Sequence, residues 1–253
     1  MPPPPVAGTC PMNPEEVPYL TTEQMVEVDR AMMEDLRIGL VQMMENAGRN
    51  LAHLARRRFL ENDPAGKSVV ILAGTGGNGG GALVAARRLC GWGAWVRVFT
   101  TKPAEAFGPV PAHQLDTLRR MQIAIGSEEE LLSEEAPDLI LDGVIGYRLK
   151  GAPTGGAAAL IRWANARGRP ILSLDAPSGL DTTTGQVLEP AIRATATMTL
   201  ALPKEGLRAA GAEDHVGELY LADVGVPPSL YAQPALGIEV GPVFAQGDVV
   251  RLR

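Results

Sequence analysis

Two aspartates stand at the ends of consecutive predicted strands, where an open parallel sheet binds its ligands. Asp142 closes Asp138-Leu-Ile-Leu-Asp142, and Asp175 closes Pro170-Ile-Leu-Ser-Leu-Asp175. Ser178 follows in the turn Pro177-Ser178-Gly179. If the two strands are neighbours, carboxylate and hydroxyl oxygens converge on one pocket. Such a group either coordinates a hard cation or performs acid–base catalysis. Taken one at a time, each aspartate is more simply interpreted as the cap of a turn.

A glycine-rich segment precedes these strands. The stretch Ala73-Gly-Thr-Gly-Gly-Asn-Gly-Gly-Gly-Ala82 contains G-x-G-x-x-G at Gly74, Gly76 and Gly79. Between a strand and a helix, such glycines permit a tight turn and bring backbone N–H groups close to a phosphate. We therefore predict that the loop from Gly74 to Gly81 binds a phosphate-bearing small molecule, in the first instance a dinucleotide. A turn that only connects two elements is the alternative.

Two features distinguish this loop from common nucleotide sites. No acidic residue ends the second predicted strand, where an NAD-dependent dehydrogenase places the carboxylate that holds the adenosine ribose, and Lys102 follows instead. No Gly-Lys-Ser/Thr closes the loop, which argues against kinases and NTPases. The histidines at 53, 113 and 215 have no spacing typical of a metal site or a catalytic triad, so we interpret them as structural.

The elements that must position these residues follow from apolar periodicity. Strands are predicted at 68–72 and near 95–100, 138–142, 170–174, 195–200 and 217–222. Helices are predicted after a cap at Thr21 or Thr22, across 40–54, and near 80–90, 111–121, 127–133 and 155–167. Strands alternating with helices indicate right-handed crossovers and an α/β fold with a mostly parallel sheet covered on both faces.

Bulk composition limits the class of protein. The chain has 253 residues, 45% of them hydrophobic, which suits one domain from residue 19 to residue 253. Residues 1–18 contain seven prolines and no apolar period, so we predict a proline-rich, disordered tail. A net charge of −6 argues against nucleic acid as a partner.

Cellular location is also predicted from composition. Two cysteines cannot build a disulfide framework, which fits a reducing compartment. No apolar stretch approaches the length of a membrane span, and the first residues do not form a signal peptide. We expect a cytoplasmic protein with no membrane partner.

Together these residues resemble the YjeF N-terminal family, the NAD(P)H-hydrate epimerases. The resemblance runs from about Tyr19 to about Pro228. It is carried by Leu20-Thr21 with Asp29, Met44-Glu45-Asn46-Ala47-Gly48-Arg49, the glycine loop with Leu83-Val84-Ala85-Ala86-Arg87, Asp142 with Gly146, Asp175-Ala-Pro-Ser-Gly-Leu-Asp181, Thr197 to Thr199 with Lys204, and Asp223-Val-Gly-Val-Pro227.

The resemblance implies a Rossmann-like three-layer α/β/α sandwich, often dimeric, that interconverts the two epimers of hydrated NADH or NADPH and holds a potassium ion. It implies Asn78, Asp142 and Ser178 at the potassium site. It implies contacts with the hydrated nucleotide from Gly77, Asn78, Gly79, Gly80, Gly81, Gly146, Tyr147, Arg148, Leu149, Lys150, Gly151, Ala152 and Asp175. Because inversion needs proton transfer, either to lose and regain water or to open and close the ring, we assign that role to Asp175.

One departure from the family pattern keeps a second hypothesis open. Where the family shows Asn-Asn-Gly-Gly-Asp, this chain has Gly77-Asn78-Gly79-Gly80-Gly81. The leading hypothesis is an NADHX/NADPHX epimerase of metabolite repair, expected as a homodimer that works with a separate NAD(P)H-hydrate dehydratase. The alternative is a catalytically impaired nucleotide-binding or dimerisation module of the same fold. An NAD-dependent oxidoreductase, which rests on the glycine pattern alone, is disfavoured by the missing ribose acid.

Overall fold

The computed structural model describes residues 16–126 and 128–253. Most of the predicted proline-rich tail, residues 1–15, lies outside this range. Val17 belongs to the predicted tail but is buried in an apolar cluster with Met25 and Val28 of the first helix. The packed part of the chain therefore includes a residue that the sequence analysis assigned to the tail.

Helices and strands alternate through the first three quarters of the described chain. The helices are α1 (Thr22–Glu34), α2 (Leu40–Phe59), α3 (Gly77–Gly91), α4 (Pro109–Arg120), α5 (Glu128–Ser133), α6 (Gly155–Ala166), α7 (Glu213–Val216) and α8 (Pro228–Tyr231). The strands are β1 (Ser68–Ala73), β2 (Trp95–Thr100), β3 (Ala124–Gly126), β4 (Leu139–Gly143), β5 (Ile171–Leu174), β6 (Ala196–Leu200), β7 (Glu218–Ala222) and β8 (Val249–Arg251). Short 3-10 turns cover Ala104–Ala106 and Glu205–Arg208.

The strands form one sheet in the order β3-β2-β1-β4-β5-β6-β7-β8. Every pairing is parallel except that of β7 with β8, which is antiparallel. This confirms the predicted α/β class and the mostly parallel sheet. Strands β3 and β8, which have three residues each and form the two edges of the sheet, were not predicted. Strands this short give too few alternating positions for a periodic pattern.

Apolar cores cover the sheet on both faces. Val69 and Ile71 of β1 pack in a cluster with residues of α2 and α3, whereas Val70 and Leu72 pack in another with residues of α6. Successive side chains of a strand point to opposite faces, so β1 serves both cores. The three-layer arrangement inferred from the resemblance is confirmed.

Helix α3 begins earlier than predicted. Its N-cap is Gly76 and its first helical residue is Gly77, so Gly77 to Gly81 are its first turns and not part of a loop. A Cβ on Gly79 would lie 1.8 Å from the carbonyl oxygen of Gly74, which shows how closely the helix packs on the turn before it. The predicted phosphate loop therefore shrinks to Gly74, Thr75 and Gly76.

Helices α2 and α3 approach each other through glycines. A Cβ on Gly48 would lie 2.4 Å from the Gly81 carbonyl oxygen, and a Cβ on Gly80 would lie 2.4 Å from the Met44 sulfur. These glycines let α2 come close enough to form a wall beside the start of α3. Among the described residues, no helix is long and apolar enough to cross a bilayer.

Candidate active site

A pocket of about 380 Å³ opens at the carboxyl edge of the sheet. One wall consists of the turns that follow β1 and β4 and the end of β5, and the other consists of side chains from α1 and α2. The helical wall is mostly apolar and includes Met25, Met33, Leu40, Met43 and Met44. The sheet wall carries most of the polar groups, namely Asn78, Tyr147, Arg148 and Asp175. The pocket thus combines an apolar side with a small set of polar groups, as ligand sites do.

Asp142, near the end of β4, is fully buried and holds the turn beyond β5. Its Oδ1 accepts from the Ser178 hydroxyl at 2.6 Å and the Val144 N–H at 3.2 Å. Its Oδ2 accepts from the Ser173 hydroxyl at 2.8 Å and the Ser178 N–H at 3.0 Å. Burial raises the pKa of Asp142, and these hydrogen bonds oppose that rise. Ser173 of β5 lies beside Asp142 of β4, so the two strands are neighbours, as the convergence of their oxygens on one pocket requires.

Asp175 follows β5 directly and lies at the back of the pocket. Its φ of 66° is in the left-handed region, an uncommon conformation for a residue with a side chain, which tends to mark functional sites. Its Oδ2 accepts from the Tyr147 N–H at 3.0 Å, and its Oδ1 forms a salt bridge with the Lys204 ammonium. The Lys204 side chain is completely buried. Asp175 is therefore a buried charge with a buried counter-charge.

The ammonium group of Lys204 has three hydrogen-bond acceptors. Besides Asp175, its ammonium donates to the Leu200 carbonyl at 2.9 Å and the Thr199 hydroxyl at 3.2 Å. Three acceptors match the three hydrogens of an ammonium group. This satisfies the condition under which a buried charge is tolerated, namely a paired charge with its remaining hydrogen bonds made.

Asn78 lies in the first turn of α3, and its amide faces the same region. The oxygen and the nitrogen of this amide are buried and have no hydrogen-bond partner among the described residues. A Cβ on Gly146 would lie 3.3 Å from the Asn78 Oδ1 and 2.9 Å from the Asp175 Oδ2. Gly146 therefore leaves the space in which the Asn78 amide and the Asp175 carboxylate approach each other. An unsatisfied buried amide in a native site calls for a ligand or an ion.

Tyr147 crosses the pocket from the sheet wall to α1. A hydrogen bond of 2.5 Å joins its Oη to the Asp29 Oδ2, and the Arg148 Nε donates to the same Oη at 2.8 Å. Arg148 also reaches Asp29 at 3.5 Å. Burial raises the pKa of Asp29, opposed by the hydrogen bond from Tyr147, and burial together with the Asp29 charge raises the pKa of Tyr147. The mouth of the pocket thus carries a second carboxylate with its own cation.

The structure brings together only part of the predicted set. Gly77, Asn78, Gly146, Tyr147, Arg148 and Asp175 line the pocket. Gly79, Gly80 and Gly81 lie inside α3, where they pack on the Gly74 turn, on Met44 and on Leu174. Leu149, Lys150, Gly151 and Ala152 lie on the loop beyond Arg148 and do not line the pocket. Asp142 and Ser178 lie behind it and support the Asp175 turn.

Lys204 and Asp29 were not predicted as site residues. Both occur in stretches that carry the family resemblance, but neither stands at a strand end or in a motif with a local chemical meaning. Lys204 follows β6, and its partner Asp175 precedes it by 29 residues. Such a pairing depends on the order of strands in the sheet, which composition and spacing do not give.

Comparison with known proteins adds a family to this geometry. The family described as YjeF-related protein N-terminus matches residues 40–206. The chain is similar to a protein named NAD(P)H-hydrate epimerase from Dehalogenimonas lykanthroporepellens, with 42% identity over 235 residues that cover 92% of each chain. It is also similar to a protein named bifunctional NAD(P)H-hydrate repair enzyme Nnr from Salinibacter ruber, with 34% identity. That match covers 83% of this chain and 41% of the longer relative.

One solved structure shares the fold. The crystal structure of the yeast protein ynu0 superposes with a TM-score of 0.77, covering 93% of this chain and all of the yeast chain. The two sequences are 23% identical, so this likeness concerns the fold alone.

Proposed function

The chain belongs to the family of YjeF-related protein N-termini, and on that premise we propose that its pocket is the active site of an NAD(P)H-hydrate epimerase. This isomerase interconverts the S and R forms of hydrated NADH and NADPH. The observation that carries the proposal is the buried Asp175 carboxylate, which faces the pocket and is held by Lys204 and the Tyr147 N–H.

The reaction requires a positioned group that moves protons. The substrate carbon bears a hydroxyl next to a ring nitrogen, so its inversion proceeds by loss and return of water or by opening and closure of the ring. Either route needs proton transfer at the hydroxyl, which a positioned carboxylate accelerates by about 10²- to 10⁴-fold. Lys204 balances the charge of Asp175 and fixes its orientation, because it is locked by two other acceptors. In this scheme Asp175 reacts and Lys204 positions it.

The rest of the pocket suits a nucleotide. Gly76 and Gly77 line it at the start of α3, where free backbone N–H groups attract a phosphate. The space next to Gly77 is open, since a Cβ there would meet only Leu40, at 4.0 Å. The methionines of α1 and α2 provide a soft apolar surface for a flat ring.

A chromatographic assay with the pure epimers tests the proposal. The purified protein is incubated with either the S or the R epimer. The rate at which the equilibrium mixture of the two epimers forms is measured by chromatography and compared with the spontaneous rate. We expect acceleration from both directions. Nucleotide binding without acceleration would favour the impaired module, a possibility raised by Gly77 and Gly81, which replace the Asn and Asp of the family pattern. A Cβ on Gly81 would lie 2.9 Å from a methyl group of Leu174, so a larger residue there needs Leu174 to move.

We also propose that Asn78, Asp142 and Ser178 hold a potassium ion. All the partners that the described residues give Asp142 are neutral, and the amide of Asn78 is buried without a partner. Carboxylate, amide and hydroxyl oxygens are the ligands that hard cations prefer, so the residues fit the ion. When bound, it supplies one positive charge beside the buried Asp142.

A melting experiment tests the ion. An ion that binds only the folded state raises the melting temperature with its concentration. We expect potassium chloride to stabilise the protein more than choline chloride at equal ionic strength, and Asn78→Ala to remove that difference. Equal stabilisation by both salts would argue against the site.

The predicted partners and location are proposals as well. We propose a homodimer, supported by the exposed side chains of Val26, Met33, Leu36 and Val41 on α1, α2 and the turn between them, and light scattering after gel filtration tests it. A separate NAD(P)H-hydrate dehydratase as functional partner is supported by the relatives named as bifunctional repair enzymes. A cytoplasmic location is supported by the free thiol of Cys90, and a reporter fusion tests it.

A further inference from the structure

The pocket carries two carboxylates on two different walls. Asp175 projects from the end of β5 on the sheet wall, and Asp29 projects from α1 on the helical wall. Each has its own cation, Lys204 for Asp175 and Arg148 for Asp29. Tyr147 connects the two pairs, since its backbone N–H donates to Asp175 and its hydroxyl binds Asp29. The proposed function so far uses only the first pair.

Inversion through loss of water has a geometric requirement. The hydroxyl leaves from one face of the ring, and water must return on the other face. A proton is therefore given on one face and taken on the opposite face. A single carboxylate on one wall serves one face only, so the site needs a second proton-carrying group on another wall.

Resting on the proposed epimerase function, we propose that the Tyr147 hydroxyl, which reaches across the pocket to Asp29 on the helical wall, is the second catalytic acid–base group and acts on the ring face opposite to Asp175. Three features of the structure support this role. The Tyr147 ring lines the pocket, its hydroxyl is 2.5 Å from a carboxylate oxygen, and the Lys204 ammonium lies 6.0 Å from its ring centroid. Burial also raises the pKa of Asp29, so protonation of this carboxylate costs less than it does for an exposed aspartate.

The step is balanced as follows. Tyr147 gives its hydroxyl proton to the substrate hydroxyl and receives one from the Asp29 carboxyl group. The C6–O bond breaks, its electron pair leaves with water, and the ring nitrogen lone pair forms a C6–N1 double bond. Water then attacks C6 from the other face, the double-bond pair returns to nitrogen, and Asp175 takes the proton that the water loses. Asp175 then releases its proton to solvent and Asp29 takes one up from solvent, which restores the starting state, and the other epimer runs the same steps in reverse.

Isotope exchange separates the two faces. Each pure epimer is incubated in H₂¹⁸O with the unaltered protein, Tyr147→Phe, Asp29→Asn or Asp175→Asn, and both inversion and label in the recovered epimer are measured. Tyr147→Phe keeps the ring and the N–H that binds Asp175. We expect its inversion rate to fall at least about 100-fold, the lower range for loss of an acid–base group. Water can then leave and return only on the ring face next to Asp175. The epimer whose hydroxyl lies on that face should therefore still exchange its oxygen with solvent while keeping its configuration at C6.

The remaining variants complete the pattern. Asp175→Asn should exchange the oxygen of the other epimer, again with its configuration retained. Asp29→Asn should show the same inversion rate and the same exchange pattern as Tyr147→Phe. The matched control is Tyr220→Phe, because the Tyr220 hydroxyl also binds a carboxylate, that of Glu218, at 2.7 Å but lies outside the pocket. It should invert both epimers at the unaltered rate. Melting temperatures of all variants establish that they are folded.

Three results would overturn the inference. The first is inversion by Tyr147→Phe at a rate within a few-fold of that of the unaltered protein. The second is loss of oxygen exchange by Tyr147→Phe for both epimers alike. The third is inversion by the unaltered protein without uptake of ¹⁸O. All three leave the proposed epimerase function intact, because the unaltered protein still inverts the substrate in each case. An unaltered protein that does not accelerate inversion at all would instead sink the proposed function.

Discussion

Two aspartates end neighbouring parallel strands, yet the surroundings of Asp142 at the end of β4 and of Asp175 beyond β5 differ in kind. Asp142 is enclosed by hydroxyl and backbone N–H donors, all of them neutral. Asp175 is joined to a buried ammonium group and faces the pocket. One position in the sheet thus supports two uses of the same side chain, and the partner of the carboxylate decides which.

The difference explains the division of work in the site. Neutral donors on both Asp142 oxygens tie the turns after β4 and β5 together, because Ser178 also accepts from the Ile145 N–H at 2.8 Å. Asp175 leaves that framework and turns into the pocket through its left-handed backbone. Under the proposed function, the β4 end supports the site and the β5 end carries the group that we propose as the catalytic carboxylate. Four predictions test this division, from the largest effect to the smallest.

Asp175→Asn should abolish most of the activity. The amide keeps the size of the side chain but cannot accept a proton, so we expect kcat to fall about 10²- to 10⁴-fold. The fall should appear in kcat rather than in KM, because the lost interaction belongs to the transition state. Ser178→Ala is the matched comparison at the β4 framework, and we expect it to change kcat less. Equal losses in both variants would contradict the division of work.

Lys204→Met should destabilise the fold strongly. Removing one partner of a buried ion pair leaves the Asp175 charge uncompensated, which costs about 3–5 kcal/mol of unfolding free energy. Urea denaturation measures this cost. The double variant with Asp175→Asn should recover part of it, since no unpaired charge remains. A double variant as unstable as the sum of the two single variants would show that the two groups do not interact.

Ser173→Ala should lower the unfolding free energy by less than Lys204→Met does, and it should leave the catalytic rate unchanged. The Ser173 hydroxyl donates to Asp142 at 2.8 Å in a fully buried setting. Losing a hydrogen bond to a charged group costs about 1.5–3 kcal/mol. Thr197→Val is the matched control, because the Thr197 hydroxyl is also buried and donates at 2.8 Å, but to the neutral Val216 carbonyl. Denaturation should show the larger loss for Ser173→Ala, with kcat of both variants near that of the unaltered protein.

The sequence predicted the strand ends well and their partners poorly. Apolar runs bounded by glycine and proline located β1, β4 and β5, and so placed Asp142 and Asp175 at one edge of the sheet. Strand order was the missing information. Lys204 reaches Asp175 only because β6 lies next to β5, and nothing in the local pattern around residue 204 indicates a buried lysine.

The glycine segment shows a second limit of local patterns. Its spacing located the turn between β1 and α3, but Gly79 and Gly80 serve close packing on Gly74 and Met44. A glycine that admits a phosphate and a glycine that admits a neighbouring helix look alike in sequence. Only the position of α2 distinguishes them, and that position depends on the whole fold.

The smallest effect should come from a carboxylate at the amino ends of the strands, away from the pocket. Glu218 begins β7, and the hydrogen bonds from Arg58 are the main reason that its pKa falls from 4.5 to about 2. The pair is partly solvated, with the Arg58 side chain 43% exposed, so we expect Glu218→Gln to cost about 0.2–1 kcal/mol at pH 7.

The dependence of that cost on pH distinguishes Glu218 from Asp142. A lowered pKa in the folded state gives stability that is present above pH 4.5 and is lost as pH falls towards 2. The difference in unfolding free energy between the unaltered protein and Glu218→Gln should therefore shrink below pH 4.5, and salt should reduce it at pH 7. Burial shifts the pKa of Asp142 in the opposite direction, so its charge costs folding free energy that its four hydrogen bonds offset only in part. A cost of Glu218→Gln that stays constant with pH would show that the surface pair does not contribute through its charge.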